Sequence, residues 1–130
     1  MYQVSPLAPS DLAALPGALP ELASSPGLTL RRDGQVIAAT GVQRLHAHRA
    51  LGWTLTAGPC RPRGWGALLA PTLAMIETAH ASGVRRLEAY VDAEHAAGLR
   101  WAQRLGFEVK ALLERFTPEG RAVFLLERFG

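Results

Sequence analysis

Cysteine is almost missing from this chain: Cys60 is the only one. A lone thiol excludes an internal disulfide and any multi-cysteine zinc site. Long apolar runs are missing as well. The longest, from Ala67 to Ile76, is broken by Pro71 and falls well short of the ~20 residues a membrane-spanning helix needs. The first thirty residues hold no lysine or arginine and are interrupted by Asp11 and Glu21. An ordinary secretory signal is therefore not expected, and a cytoplasmic location is. Lysine is scarce too, Lys110 being the sole one among fourteen basic residues. Against eleven acidic residues these leave a net charge of +3. The arginines are scattered, pairing only at Arg31–Arg32 and Arg85–Arg86, so despite a pI of 9.8 no continuous stripe suits nucleic acid. What is present is ample for one core. With 130 residues, 48% hydrophobic and 19% charged, the chain reads as a single domain over 1–130.

Punctuation residues divide the chain into short elements. Residues 2–4 read as a strand. Ser10 can cap a short helix over 11–15, and Pro20 can open another over 21–24, with Pro16 and Gly17 between them. Strands at 29–32 and 36–42 flank Asp33-Gly34, the strongest short hairpin signal. Residues 43–50 read as a polar loop. Leu-Gly-Trp-Thr-Leu-Thr at 51–56 is rich in strand formers and predicts a central strand. A long helix follows over 65–82, with Leu69, Leu73, Ile76 and His80 along one face, a kink expected at Pro71 and Gly83 as its stop. Residues 84–91 form the next strand, with Leu87, Ala89 and Val91 on one side. Asp92 can cap a helix over 93–105 that buries Leu99, Ala102 and Leu105. Two strands, 107–113 and 122–128, close the chain about a turn at 118–120.

One segment carries chemistry: Arg61-Pro62-Arg63-Gly64-Trp65-Gly66, between a strand and the long helix. Glycines let a ligand approach the backbone, and N–H groups at a helix N-terminus point at anions. Arg61 and Arg63 can add charge-assisted hydrogen bonds. The lysine and Ser/Thr of a P-loop are absent. The plain alternative is a tight strand-to-helix turn. His46 and His48 would share a side if extended, but no carboxylate or thiol accompanies them, so no metal site is expected. Trp53, Trp65 and Trp101 read as core or cleft-wall residues rather than base-stacking platforms.

The spacing R-x-x-G-x-G and the later Leu105-Gly106-Phe107 resemble two motifs of the GNAT superfamily of acyl-CoA-dependent N-acetyltransferases. The resemblance covers residues 51–113, and the order of elements agrees before that. It implies an α/β fold of the α+β kind: a mixed, mostly antiparallel sheet flanked by helices, with the fourth and fifth strands parallel neighbours that splay apart. It also implies that backbone groups from Arg61 through Pro62, Arg63, Gly64 and Trp65 to Gly66 bind the pyrophosphate of acetyl-CoA. A strand N–H at Thr56 or Ala57 would polarise the thioester, and the acceptor would be a small-molecule or protein amine. Three positions depart from the family pattern. His95 stands where an asparagine commonly opens the late helix, Ala102 where a tyrosine often protonates the leaving thiolate, and residues 51–56 hold no carboxylate.

Three side chains are candidates for the missing chemistry. Glu88 is the best-placed base if it faces the cleft; the alternative is a solvated or helix-covered side, since Leu87, Ala89 and Val91 lie opposite to it. His95 can serve as an acid or a cap, or be a surface residue. Cys60 sits beside two arginines and a helix N-terminus, which would lower its pKa, or it simply packs. The alternative to an enzyme is a non-catalytic GNAT-fold module. The compact build resembles small phage- and prophage-encoded proteins of this type, which implies a structural or host-interaction role in host cytoplasm or virion. A homodimer or a phage or host protein is the expected partner.

Overall fold

The computed structural model describes residues 1–130. Seven strands make one sheet: β1 (Tyr2–Pro6), β2 (Gly27–Arg32), β3 (Gln35–His46), β4 (Arg49–Thr56), β5 (Arg86–Asp92), β6 (Glu108–Leu113) and β7 (Val123–Phe129). Their spatial order is β1-β2-β3-β4-β5-β7-β6. All neighbours are antiparallel except β4 and β5, which are parallel and joined by helix α1 (Pro62–Ala81). A connection of that length is what a parallel pair requires. Helix α2 (Ala96–Arg104) follows β5.

The Asp33-Gly34 turn forms as read, with φ of 51° and 84° at its two central residues. Positive φ at both is the turn whose twist suits a two-residue hairpin. Residues 43–50 differ from expectation. They continue β3 to His46 and begin β4 at Arg49, paired as far as His46↔Arg49 with a bulge between Arg44 and His46. The polar residues there, Arg44, His46 and His48, alternate with others on an exposed ribbon rather than marking a loop. The two early helices are 3-10 turns, Pro9–Ala14 and Pro20–Ser24. Ser10 does not cap the first; the Asp11 carboxylate accepts the Ala8 N–H instead, at 2.9 Å. Likewise α2 starts later than read, with His95 at its N-cap, because the Asp92 carboxylate closes a local turn on the Glu94 N–H.

Alternation sorts the two faces of the sheet. Leu30, Ala38, Val42, Ala50, Leu87 and Leu126 face α1 and α2 and form one core with Trp65, Leu68, Ile76, Trp101 and Leu105. Along α1 the buried stripe is Trp65, Leu68, Thr72 and Ile76. The stripe read from sequence, through Leu69, Leu73 and His80, is its half-buried flank. Thr72 can lie inside because its hydroxyl donates to the Leu68 carbonyl at 2.7 Å. On the other face, buried Asp11 of the first 3-10 turn accepts from Thr29 and pairs with Arg31. Burial pushes that carboxyl up, but the Ala8 N–H, the Thr29 hydroxyl and the Arg31 guanidinium outweigh it and hold it below the usual range.

Candidate functional site

β4 and β5 pair over three residues only, Arg49↔Arg86, Ala50↔Leu87 and Leu51↔Glu88. Beyond them the strands part toward their C-terminal ends, and a wedge-shaped cleft of about 140 Å³ opens between them. Its walls are Thr54 and Thr56 of β4, Ala89 and Val91 of β5, Trp65 of α1, and Trp101 and Ala102 of α2. Trp65 and Trp101 lie against each other, ring centroids 4.9 Å apart and tilted by 33°. All three tryptophans border this cleft, as expected.

The chain leaves β4 and enters α1 at the mouth of the cleft. Arg61 is the N-cap, in extended conformation, and no side chain caps the helix. Residue 59 precedes the helix, so the Arg63 N–H has no intrahelical acceptor. Neither Arg61 nor Arg63 enters any of the molecule's ion pairs. Both line a hollow shared with Tyr2, Arg32 and Pro62. Arg32 rests over the Tyr2 ring at 5.7 Å. Arg32, Arg61, Arg63 and an open helix N-terminus thus gather where α1 starts, a strongly anion-attracting arrangement.

No protein-family model and no curated protein matches the chain. Solved structures do. An acetyltransferase of the GNAT family from Streptococcus pneumoniae superposes with a TM-score of 0.74 at 18% identity, over 99% of both chains. An N-acetyltransferase from Staphylococcus aureus Mu50 gives 0.75 at 15% identity, over 99% of this chain and 98% of the other. The Salmonella typhimurium protein yncA, whose structure contains its cofactor acetyl-CoA, gives 0.72 at 15% identity, over 98% and 93%. This is the GNAT fold.

Within the GNAT fold, the sequence-derived site residues separate into two groups. Thr56, Trp65, His95 and Ala102 border the cleft, and Arg61, Pro62 and Arg63 line the separate hollow at the start of α1. Gly66 lies beside them, where an added Cβ would meet nothing within 4 Å. Gly64 faces inward instead. A Cβ there would come within 3.0 Å of the Cys60 sulfur and 3.3 Å of Leu30 and Tyr2, so this glycine allows α1 to sit on the sheet. The Ala57 N–H is already donated to the Ile37 carbonyl at 2.9 Å and has no hydrogen left for a thioester.

The three proposed catalytic side chains fare differently. Glu88 is buried on the face away from the cleft, where Arg49 donates twice to one oxygen, at 3.0 and 2.7 Å, and Arg86 pairs with the other. The Arg49 hydrogen bonds, and then those of Arg86, outweigh burial and hold the Glu88 carboxyl below its ordinary range. Both oxygens of this carboxylate are thus taken by arginines and turned from the cleft. The Cys60 thiol is half-buried, and burial pushes its pKa up rather than down. Neither Arg61 nor Arg63, both lining the hollow at the start of α1, offsets that burial. His95 stays exposed at the cleft rim, its ring stacked under the α2 backbone so that a Cβ on Gly98 would fall 2.6 Å from Nδ1. His46 and His48 meet edge to face, and no group of three metal-ligating side chains converges anywhere.

Sequence reading missed one feature of the cleft. The Trp101 indole N–H donates to the Thr54 hydroxyl at 3.1 Å, and Thr54 lies 2.9 Å from the Thr40 hydroxyl. No motif announces such a chain; the alternation of Thr40 and Thr54 toward the helices is its only trace. The C-terminal end of β5 is also held: Arg121 pairs with Asp92 and Glu94, and Phe116 stacks on Tyr90 at 5.3 Å.

Proposed function

We propose that the chain is an N-acyltransferase that moves an acetyl group from acetyl-CoA to a small-molecule or protein amine. The observation that carries this reading is the junction of the splayed β4–β5 cleft with the uncapped, arginine-flanked start of α1. A thioester attached to a polyanionic carrier fits both parts at once. Arg61, Arg63 and the Arg63 N–H would hold the pyrophosphate, and the open surface at Gly66 leaves room for it. The cleft would align the thioester carbonyl with the entering amine, and positioning is the main contribution of such a site. A free strand N–H on the β5 side of β4 would polarise the carbonyl. The amine nitrogen forms the new bond to carbon, the carbon–sulfur bond breaks, and the amine proton passes to water.

Titration calorimetry with acetyl-CoA tests the binding half of this proposal. Binding by the native chain, lost in Gly66→Val while the fold persists, is the expected result. Thiol release across a panel of amines tests the chemical half. A second reading, a binding module without turnover, is favoured by the engagement of Glu88, which leaves the cleft without a free carboxylate base. That reading predicts acetyl-CoA binding with no thiol release for any amine, and it suits a phage structural or host-interaction role.

A further inference from the structure

Three polar side chains of the cleft, Trp101, Thr54 and Thr40, form a chain with a defined direction. The Trp101 indole N–H can only donate, and it donates to Thr54 Oγ1 at 3.1 Å. The Thr40 hydroxyl donates to the Trp53 carbonyl at 3.0 Å, which uses its single hydrogen. The 2.9 Å contact between the two threonines is therefore a donation from Thr54 to Thr40. Thr54 is thus the one member whose hydrogen can turn elsewhere without leaving the others unmatched. Its oxygen would keep the Trp101 N–H, and Thr40 would keep its carbonyl. Thr54, Trp101 and Ala102 all border the cleft, and the Ala102 methyl offers no donor.

We propose that the Thr54 hydroxyl is the hydrogen-bond donor to the sulfur that leaves as thiolate, and that Trp101 is the positioning residue that holds Thr54 for this role. The inference rests on the acyltransfer reading. As the amine nitrogen bonds to the acyl carbon, the carbon–sulfur pair of electrons collapses onto sulfur. Thr54 turns its hydrogen from Thr40 to that sulfur and holds the negative charge without giving up the proton. A solvent proton later neutralises the thiolate. An N–H directed at the threonine oxygen polarises the hydroxyl and strengthens its donation. Trp101, 4% exposed and packed on Trp65, holds its indole in one orientation.

CoA itself is the probe, so no acceptor has to be known. The thiolate absorbs in the ultraviolet, and a pH titration of the CoA complex gives the pKa of the bound thiol. The native complex is expected to titrate about one pH unit below the Thr54→Val complex, the size of one hydrogen bond to a charged group. Thr54→Ser should restore the native value. Trp101→Phe, which keeps an aromatic ring in the core, should fall between native and Thr54→Val. CoA affinity should change less than about 3-fold in Thr54→Ser and Trp101→Phe, because the donor acts on the thiolate. Equal bound-thiol pKa values in native, Thr54→Val and Trp101→Phe complexes overturn the inference and leave the acyltransfer reading standing. Failure of the native chain to bind CoA overturns both.

Discussion

Two glycines two residues apart show how differently one motif can be used. Gly64 is required by the sheet beneath it, whereas Gly66 faces open space. Gly66→Ala should therefore raise stability by up to about 1 kcal/mol, the helix-propensity difference, in a thermal melt. Gly64→Asp should instead unfold the chain, since a charged side chain would be driven against Cys60, Leu30 and Tyr2; circular dichroism distinguishes the two outcomes. Glu88 makes a prediction of another kind. Its carboxyl is held below the ordinary range, so its contribution to stability is fully present above about pH 4.3 and is lost as pH falls through the lower folded value. Glu88→Gln should destabilise the protein by about 1–3 kcal/mol at pH 7, the arginine partners being partly solvated. The variant's stability should also fall less steeply than the native protein's below pH 4.3 in denaturant titrations. The charged residues were easy to see in the sequence. Their roles were not, because Arg49 and Glu88 lie on different strands and only the parallel pairing joins them.

Helix α1 runs unbroken through Pro71 from Pro62 to Ala81. The proline withholds its N–H from the Ala67 carbonyl, and Pro71→Ala should restore it. A gain of about 1–3 kcal/mol is expected in chemical denaturation, provided the substitution introduces no new contact. Elements bounded by backbone-restricted residues were the legible ones. Gly83 and Gly106 end α1 and α2 with φ of 112° and 91°, and Asp33-Gly34 makes its turn with positive φ at both residues. Elements set by partners were not. The β3–β4 ribbon beyond Val42 takes its extended form from cross-strand pairing, and its Ala47-His48 turn carries no glycine or asparagine to announce it. The start of α2 moved for a similar reason, since Asp92 is held by Arg121, which lies just before the neighbouring strand β7. The Arg61–Gly66 segment was legible as a helix entry, but which of its groups face outward depends on how α1 docks.

At the scale of the molecule, the sheet is closed at one end of the β4–β5 seam and open at the other. Alternating charges of Arg49, Glu88, Arg86 and Glu127 cross β4, β5 and β7 at the closed end. Arg32, Arg61 and Arg63 instead gather in the hollow where α1 starts. An anionic ligand should therefore be drawn to the start of α1, and its association rate should fall with added salt. Stopped-flow measurements with acetyl-CoA should give a steeper salt dependence for the native protein than for a variant carrying Arg32→Gln and Arg61→Gln; equal slopes would remove the steering role. The splay was inferred by resemblance rather than by any residue count, because strand separation depends on what is wedged between strands.

The tryptophan pair has an optical consequence. Two indoles 4.9 Å apart and tilted by 33° are close enough for their electronic transitions to couple. Such a pair should give the folded protein a two-signed band in its far-ultraviolet circular dichroism, beyond what its helices and strands contribute. Trp65→Phe or Trp101→Phe should each abolish it, whereas Trp53→Phe should not. Since the chain has only three tryptophans and all border the cleft, its emission spectrum is in effect a spectrum of that cleft. Anything that enters between β4 and β5 should change the colour of the protein's own fluorescence, with no label attached.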